Sequence, residues 1–126
     1  MTTPRASLRI AAWLLLLAIA AFSVISPYYR VTTFVPHDIE HFAVFALVGV
    51  AFGLAYPARY LANGAALLAF TGGIELAQLW APGRHARFSD FAVNALGLAV
   101  GLGLAYLVTK RQKAAATGSR RVLTPP

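Results

Sequence analysis

The chain has 126 residues, of which 59% are hydrophobic and 12% charged, with a formal net charge of +7 and no cysteine. So apolar a composition excludes a disordered chain and is far from that of an ordinary water-soluble domain, and the absence of cysteine excludes a disulfide framework, thiolate catalysis and a Cys-ligated metal. The positive charge does not point to nucleic acid, because the basic residues stand at the chain ends and in short connections between apolar runs, where membrane-topology signals belong.

Arg5 and Arg9 precede a first apolar run over about 10–26. A charged start followed by an apolar stretch has the form of a signal peptide, but this run continues through Ala21-Phe22 and three more apolar segments follow, so a retained helix is expected. Pro27-Tyr28-Tyr29-Arg30 ends it, with tyrosines suited to the membrane–water interface. A second run, about 39–56, stops at Pro57, and Arg59 marks a tight turn. The third, about 60–80, is interrupted by Asn63 and Glu75 and is closed by Pro82-Gly83. The fourth, about 90–108, stops at Lys110-Arg111-Gln112-Lys113.

Each run is roughly 17 to 21 residues long, close to the ~20 that cross the hydrocarbon core as a helix. None shows the period-2 alternation of a membrane strand. The expected fold is therefore an all-α membrane protein, a bundle of four transmembrane helices over 10–108, between a short N-terminal segment, 1–9, and a basic flexible tail, 109–126. With both termini cytoplasmic, eight basic residues (Arg5, Arg9, Arg59, Lys110, Arg111, Lys113, Arg120, Arg121) fall inside and three (Arg30, Arg84, Arg87) outside.

That topology brings all four acids of the chain, Asp38, Glu40, Glu75 and Asp90, to one outer layer. Glu75 is the most informative, since it stands about five residues, or roughly 7 to 8 Å, inside its expected helix end. A carboxylate facing lipid there would cost a few kcal/mol, so it should face the bundle and mark a functional site. Gln78 shares its face. On helix 4, Asp90, Asn94, Gly97 and Gly101 lie within about 60° of one another. His41 on helix 2 reaches the same depth. The candidate catalytic groups are accordingly His41, Glu75 and Asp90, and the candidate ligand-binding groups are Gln78, Arg84 and Asn94. Gly49, Gly53, Gly97 and Gly101 have the four-residue spacing of close helix packing.

Each assignment has a plainer counterpart. Asp38, Ser89 or Asp90 would serve as helix N-caps, Arg87 as a solvated charge or lipid-phosphate contact, His37 and His85 as interfacial residues, and Glu75 with Arg84 as a buried ion pair fixing two helices. His41, Glu75, His85 and Asp90 are suitable ligand types for a metal, but no His-Glu-x-x-His motif supports one, and neither metal nor cofactor is expected. Ser89 beside Asp90 lacks the G-x-S-x-G context of a hydrolase.

The set Glu75-x-x-Gln78, Pro82-Gly83-Arg84, Asp90, Asn94, Gly97 and Gly101, preceded by His41-Phe42 and Leu47-x-Gly49, resembles the VanZ-like family of small bacterial membrane proteins over about residues 36–108. One departure is that the acid this family often carries four residues before the histidine is His37 here, with Asp38 one position later. The resemblance implies a multi-pass protein of the bacterial inner membrane, related to proteins linked to resistance to the glycopeptide teicoplanin. Fold and topology carry over from such a likeness better than activity does. The expectation is an outer-facing polar pocket that binds or modifies an anionic cell-envelope lipid or lipid-linked precursor. Its alternative is an accessory protein whose polar layer fixes helix packing or partner docking. The residues do not decide between binding and catalysis, nor the oligomeric state.

Overall fold

The computed structural model describes residues 4–24, 34–80 and 87–122, and among these it has helices and turns but no strand. Four helices follow one another: α1 (Pro4–Val24), α2 (His37–Ala55), α3 (Tyr60–Gln78) and α4 (Phe88–Val122). Pro4 opens α1, where its missing N–H is not needed and its fixed φ is already helical. Proline also sets the start of α2. Pro36 (φ −54°, ψ 136°) is the cap residue, and its carbonyl accepts from the amides of Ile39 (3.0 Å) and Glu40 (3.2 Å).

Asp38 therefore stands inside the first turn of α2 rather than capping it, and no side chain caps that helix. With Glu40 it still places negative charge at the positive end of the helix dipole. The start of α4 is similar. The Arg87 carbonyl accepts from Asp90 (3.0 Å) and Phe91 (3.3 Å), which puts Ser89 and Asp90 within the first turn. The Ser89 hydroxyl donates to Asp90 Oδ1 at 3.3 Å.

Side-chain pairs fix the direction of each helix. Arg9 of α1 donates to the Ala55 carbonyl (3.4 Å) and lies over the Tyr56 ring, and Trp13 donates to the Tyr56 hydroxyl (3.1 Å), so α1 and α2 are antiparallel. His41 meets Asn94 and Gly53 meets Ala105, so α2 and α4 are parallel. The chain must return between them, and α3 does so. Tyr60 at its start donates to Thr109 Oγ1 (3.1 Å), while Glu75 near its end faces Asn94. All four acids consequently share one end of the bundle, with Arg5, Arg9, Arg59 and Lys110 towards the other.

Helices α1, α2 and α4 are long and apolar enough to cross a membrane, while α3, as long as α2, falls outside that set. The reason is its polar content: Asn63, Thr71, Glu75 and Gln78 interrupt its apolar run. Large apolar side chains cover the outside of the bundle, among them Leu14, Leu17, Leu47 and Leu104, each more than half exposed. Such a surface belongs in contact with lipid tails rather than water.

The most extensive contact is α2 against α4, and glycine makes it. A Cβ on Gly49 would stand 2.6 Å from the Leu98 carbonyl oxygen, and one on Gly97 2.5 Å from that of Phe42. One on Gly101 would overlap the Ala46 carbonyl, and one on Gly53 would meet the Ala105 methyl at 2.5 Å. The two backbones touch along this seam, as small-residue faces allow. Beside it, Ala12 and Leu16 of α1 pack on Phe45, Val48 and Phe52 of α2, with Leu67 and Leu98 completing the core.

Two boundaries differ from the expectation. α3 ends at Gln78, so Glu75 lies in its last turn, about 4.5 Å of helix rise from the end. α4 continues past residue 108, where the sequence reading placed a flexible tail, through the basic stretch to Val122. Alanine, lysine, arginine and glutamine are good helix formers, so Lys110-Arg111-Gln112-Lys113-Ala114-Ala115-Ala116 ends the apolar run without ending the helix.

Candidate functional site

Four polar side chains are buried at the acidic end of the bundle: Thr71, Glu75 and Gln78 on α3 and Asn94 on α4. The spacing 71, 75, 78 places the three α3 residues on one helical face, turned towards α4. Thr71 satisfies itself by donating to the Leu67 carbonyl one turn back (2.8 Å). Asn94, only 1% exposed, joins three helices. Its Nδ2 donates to Glu75 Oε1 at 3.5 Å, the long limit for such a bond, and its Oδ1 lies 3.0 Å from His41 Nδ1.

The orientation of the Asn94 amide follows from what each neighbour offers. The amide nitrogen donates to Glu75, which leaves the carbonyl oxygen, an acceptor only, facing His41. His41 then carries its proton on Nδ1. Glu75 Oε2 is buried and makes no hydrogen bond within 3.5 Å among the described residues, the main-chain N–H of Arg87 being its nearest donor interaction. The Arg87 main chain, Asp90 and His37 are close enough to act on the charge of Glu75. An unpartnered buried oxygen costs about 1–3 kcal/mol, more when charged, and calls for an explanation.

A second polar group adjoins the first. His37 Nε2 lies 3.7 Å from Asp90 Oδ2, and the His37 ring tilts over that of His41 with centroids 4.1 Å apart. His37 and His41 are one turn apart on α2, so they share a face at the start of α4. His37, expected as an interfacial residue, thus adjoins the polar layer, and its spacing of four from His41 is the signal that could have placed it there. Among the described residues, no group of three or more His, Asp or Glu side chains is arranged to hold a metal ion.

Between α3 and the start of α4 the surface opens into a groove of about 580 Å³, lined by Ala69, Gly72, Gly73, Glu75, Leu76, Arg87, Phe88 and Phe91. Its walls are apolar and aromatic, its acid is Glu75 and its cation is Arg87. Gly73 presents no side chain, and a Cβ there would meet nothing within 4 Å. The groove exists because, at this end, α3 meets α4 closely only at the polar contact, while α4 gives its glycine face to α2.

The structure thus brings together His41, Glu75, Gln78, Asp90 and Asn94 at one end, and sets Gly49, Gly53, Gly97 and Gly101 in the α2–α4 seam. Arg84 and His85, with Pro82-Gly83, lie outside the described residues, as do Arg30 and its neighbouring tyrosines. Thr71, Phe88 and Phe91 were not singled out from the sequence. The i, i+4, i+7 spacing of Thr71, Glu75 and Gln78 was a readable signal, whereas the aromatic wall was not, since aromatic residues are common at membrane interfaces.

A family model described as VanZ/LLP1 matches residues 4–109. The chain belongs to the VanZ/LLP1 family. The match runs from the first residue of α1 to Thr109 and so takes in the seam and the polar end, leaving out, of the four helices, the basic end of α4. No curated protein and no solved structure matches the chain.

Proposed function

We propose that this VanZ/LLP1 protein sits in the bacterial inner membrane with both termini cytoplasmic, and that its outer-facing groove binds the phosphate-bearing headgroup of an anionic cell-envelope lipid or lipid-linked precursor. The observation that carries this reading is the groove itself. A buried acid and a cation line one cleft whose other walls are apolar and aromatic, and the surrounding surface is lipid-facing. A ligand matching those features is an amphiphile.

Within this reading Arg87 grips phosphate, as a guanidinium does in paired hydrogen bonds. Glu75, Asn94 and His41 form the polar floor, with Gln78 beside them. Modification of the ligand would use His41 or Glu75 as the proton-transferring group and Asp90 to orient the histidines. The test is native mass spectrometry of the detergent-purified protein. Arg87→Ala is expected to lose bound phospholipid that the parent protein retains, with the helical circular dichroism spectrum unchanged. Equal retention by both proteins would reject the reading.

A second reading is favoured by the Glu75–Asn94–His41 contacts, which tie α3, α4 and α2 together. Here the polar layer fixes helix packing, as in an accessory membrane subunit. Glu75→Ala and Asn94→Ala would then each lower thermal stability in detergent, and the double variant would lose less than the sum, with a coupling of roughly 0.5–3 kcal/mol. Additive losses would argue against it. Glycopeptide resistance is a separate question, answered by teicoplanin susceptibility of a host producing the chain against one producing the Arg87→Ala variant.

A further inference from the structure

We propose that the groove selects a phospholipid whose headgroup carries a hydrogen-bond donor, ammonium or hydroxyl, beside its phosphate, with the donor received by Glu75 and the phosphate by Arg87. This rests on the lipid-site reading above and keeps its phosphate, but makes the donor the deciding feature, so that a zwitterionic amine headgroup qualifies beside an anionic hydroxyl one.

The carboxylate dictates the donor. Glu75 is 8% exposed, one of its oxygens is held by Asn94, and the other makes no hydrogen bond within 3.5 Å among the described residues, with only the Arg87 main-chain N–H acting on it from further off. A bare phosphate brought against that carboxylate would add like charge in a poorly hydrated place. An N–H or O–H placed there would instead complete the acceptor that folding leaves open. The terminal torsion of a glutamate side chain is soft, so Glu75 can turn an oxygen into the groove it lines, giving up part of its 3.5 Å contact with Asn94 to do so.

Arg87 dictates the phosphate. It lines the same groove as Glu75, so a ligand that satisfies both must carry an anion and a donor within one headgroup. Phosphodiester headgroups ending in an amine or hydroxyl have this pairing, whereas choline carries positive charge without a donor. Phe88, Phe91 and Leu76 offer contact to the glycerol and upper acyl carbons, and Gly72 and Gly73 leave space for them.

The experiment compares phosphatidylethanolamine, phosphatidylglycerol and phosphatidylcholine of matched acyl chains, titrated into the delipidated full-length protein and followed by native mass spectrometry. The parent protein is expected to favour phosphatidylethanolamine or phosphatidylglycerol over phosphatidylcholine by about tenfold, the factor for one charge-assisted hydrogen bond. Glu75→Ala should bring that ratio close to one. Glu75→Gln, which keeps an acceptor oxygen but not the charge, separates the two sources: a preference for phosphatidylglycerol survives it, and one for phosphatidylethanolamine is lost. Should Glu75→Ala fail to fold, Glu75→Gln carries the test together with Gly73→Phe. The latter fills the groove without touching the polar network and should weaken all three lipids.

Equal binding of the three lipids by the parent protein, still weakened by Arg87→Ala, would overturn this selectivity and leave the lipid site standing. Binding unaffected by both Arg87→Ala and Gly73→Phe would overturn the site as well.

Discussion

The two faces of α4 meet their partners in opposite ways. Against α2 it offers Gly97 and Gly101, and the backbones approach until a single methyl group would collide with a carbonyl. Against α3 it offers Tyr106 and Thr109 to Tyr60 at one end and, at the acidic end, Asn94 and Phe91, where contact is a polar pair at the long limit of hydrogen bonding beside an open groove. Both faces lie on one helix of similar local composition. The difference shows where this bundle is closed and where it is left open: dry backbone contact makes the α2–α4 pair a rigid unit, and α3, anchored by Tyr60 at its start, is attached at the acidic end through groups that a ligand can also use.

The largest expected effect breaks the closed face. Gly101→Ala replaces a poor helix former with the best one, which on an exposed helix would stabilise by about 1 kcal/mol. Here the added methyl overlaps the Ala46 carbonyl, so a loss of about 3 kcal/mol is expected, read as a lower melting temperature in detergent. Gly103→Ala, two residues away with nothing within 4 Å of the new methyl, should leave stability equal or improved. If the two variants behave alike, the seam is not what holds α2 to α4.

Next comes the open face. Asn94→Ala removes both hydrogen bonds without overfilling the site, leaving buried Glu75 and half-buried His41 without their shared partner. About 1–3 kcal/mol of destabilisation is expected, with the larger loss in the protection of α3 amides against hydrogen exchange. Uniform loss across all four helices would show that α3 is as firmly docked as α2. The smallest effect is expected for His37→Ala. Its partner distance is 3.7 Å and its side chain is 47% exposed, so screening by solvent limits the change to about 1 kcal/mol or less in the same melting assay.

Much of the site was legible before any coordinates, and for a physical reason. Charges are so costly in the apolar interior that the few present are informative, and the basic residues fix which helix ends lie together. Glu75, Gln78, Asp90, Asn94 and His41 could therefore be gathered into one layer. Three features were less legible. Asn94 is the hub of the network, yet by type alone it ranked below Glu75. Arg87, at a helix start, read as a solvated charge or a lipid-phosphate contact, and only the fold shows that α3 and Glu75 stand opposite it. His37 was set apart from His41, although one helical turn puts them face to face.

The chain by itself determined that it is helical and apolar, that its acids share one end, and that two helices carry glycine faces, because burial costs and helical periodicity are local or additive properties of the sequence. Which faces were to meet was decided only by the tertiary structure. Four apolar helices allow several pairings of similar hydrophobic content, and the parallel fit of Gly49 and Gly53 to Gly97 and Gly101 depends on shape at the scale of one methyl group. Once α4 gives that face to α2, α3 must pack on what remains. The groove between Glu75 and Arg87 follows from that geometry.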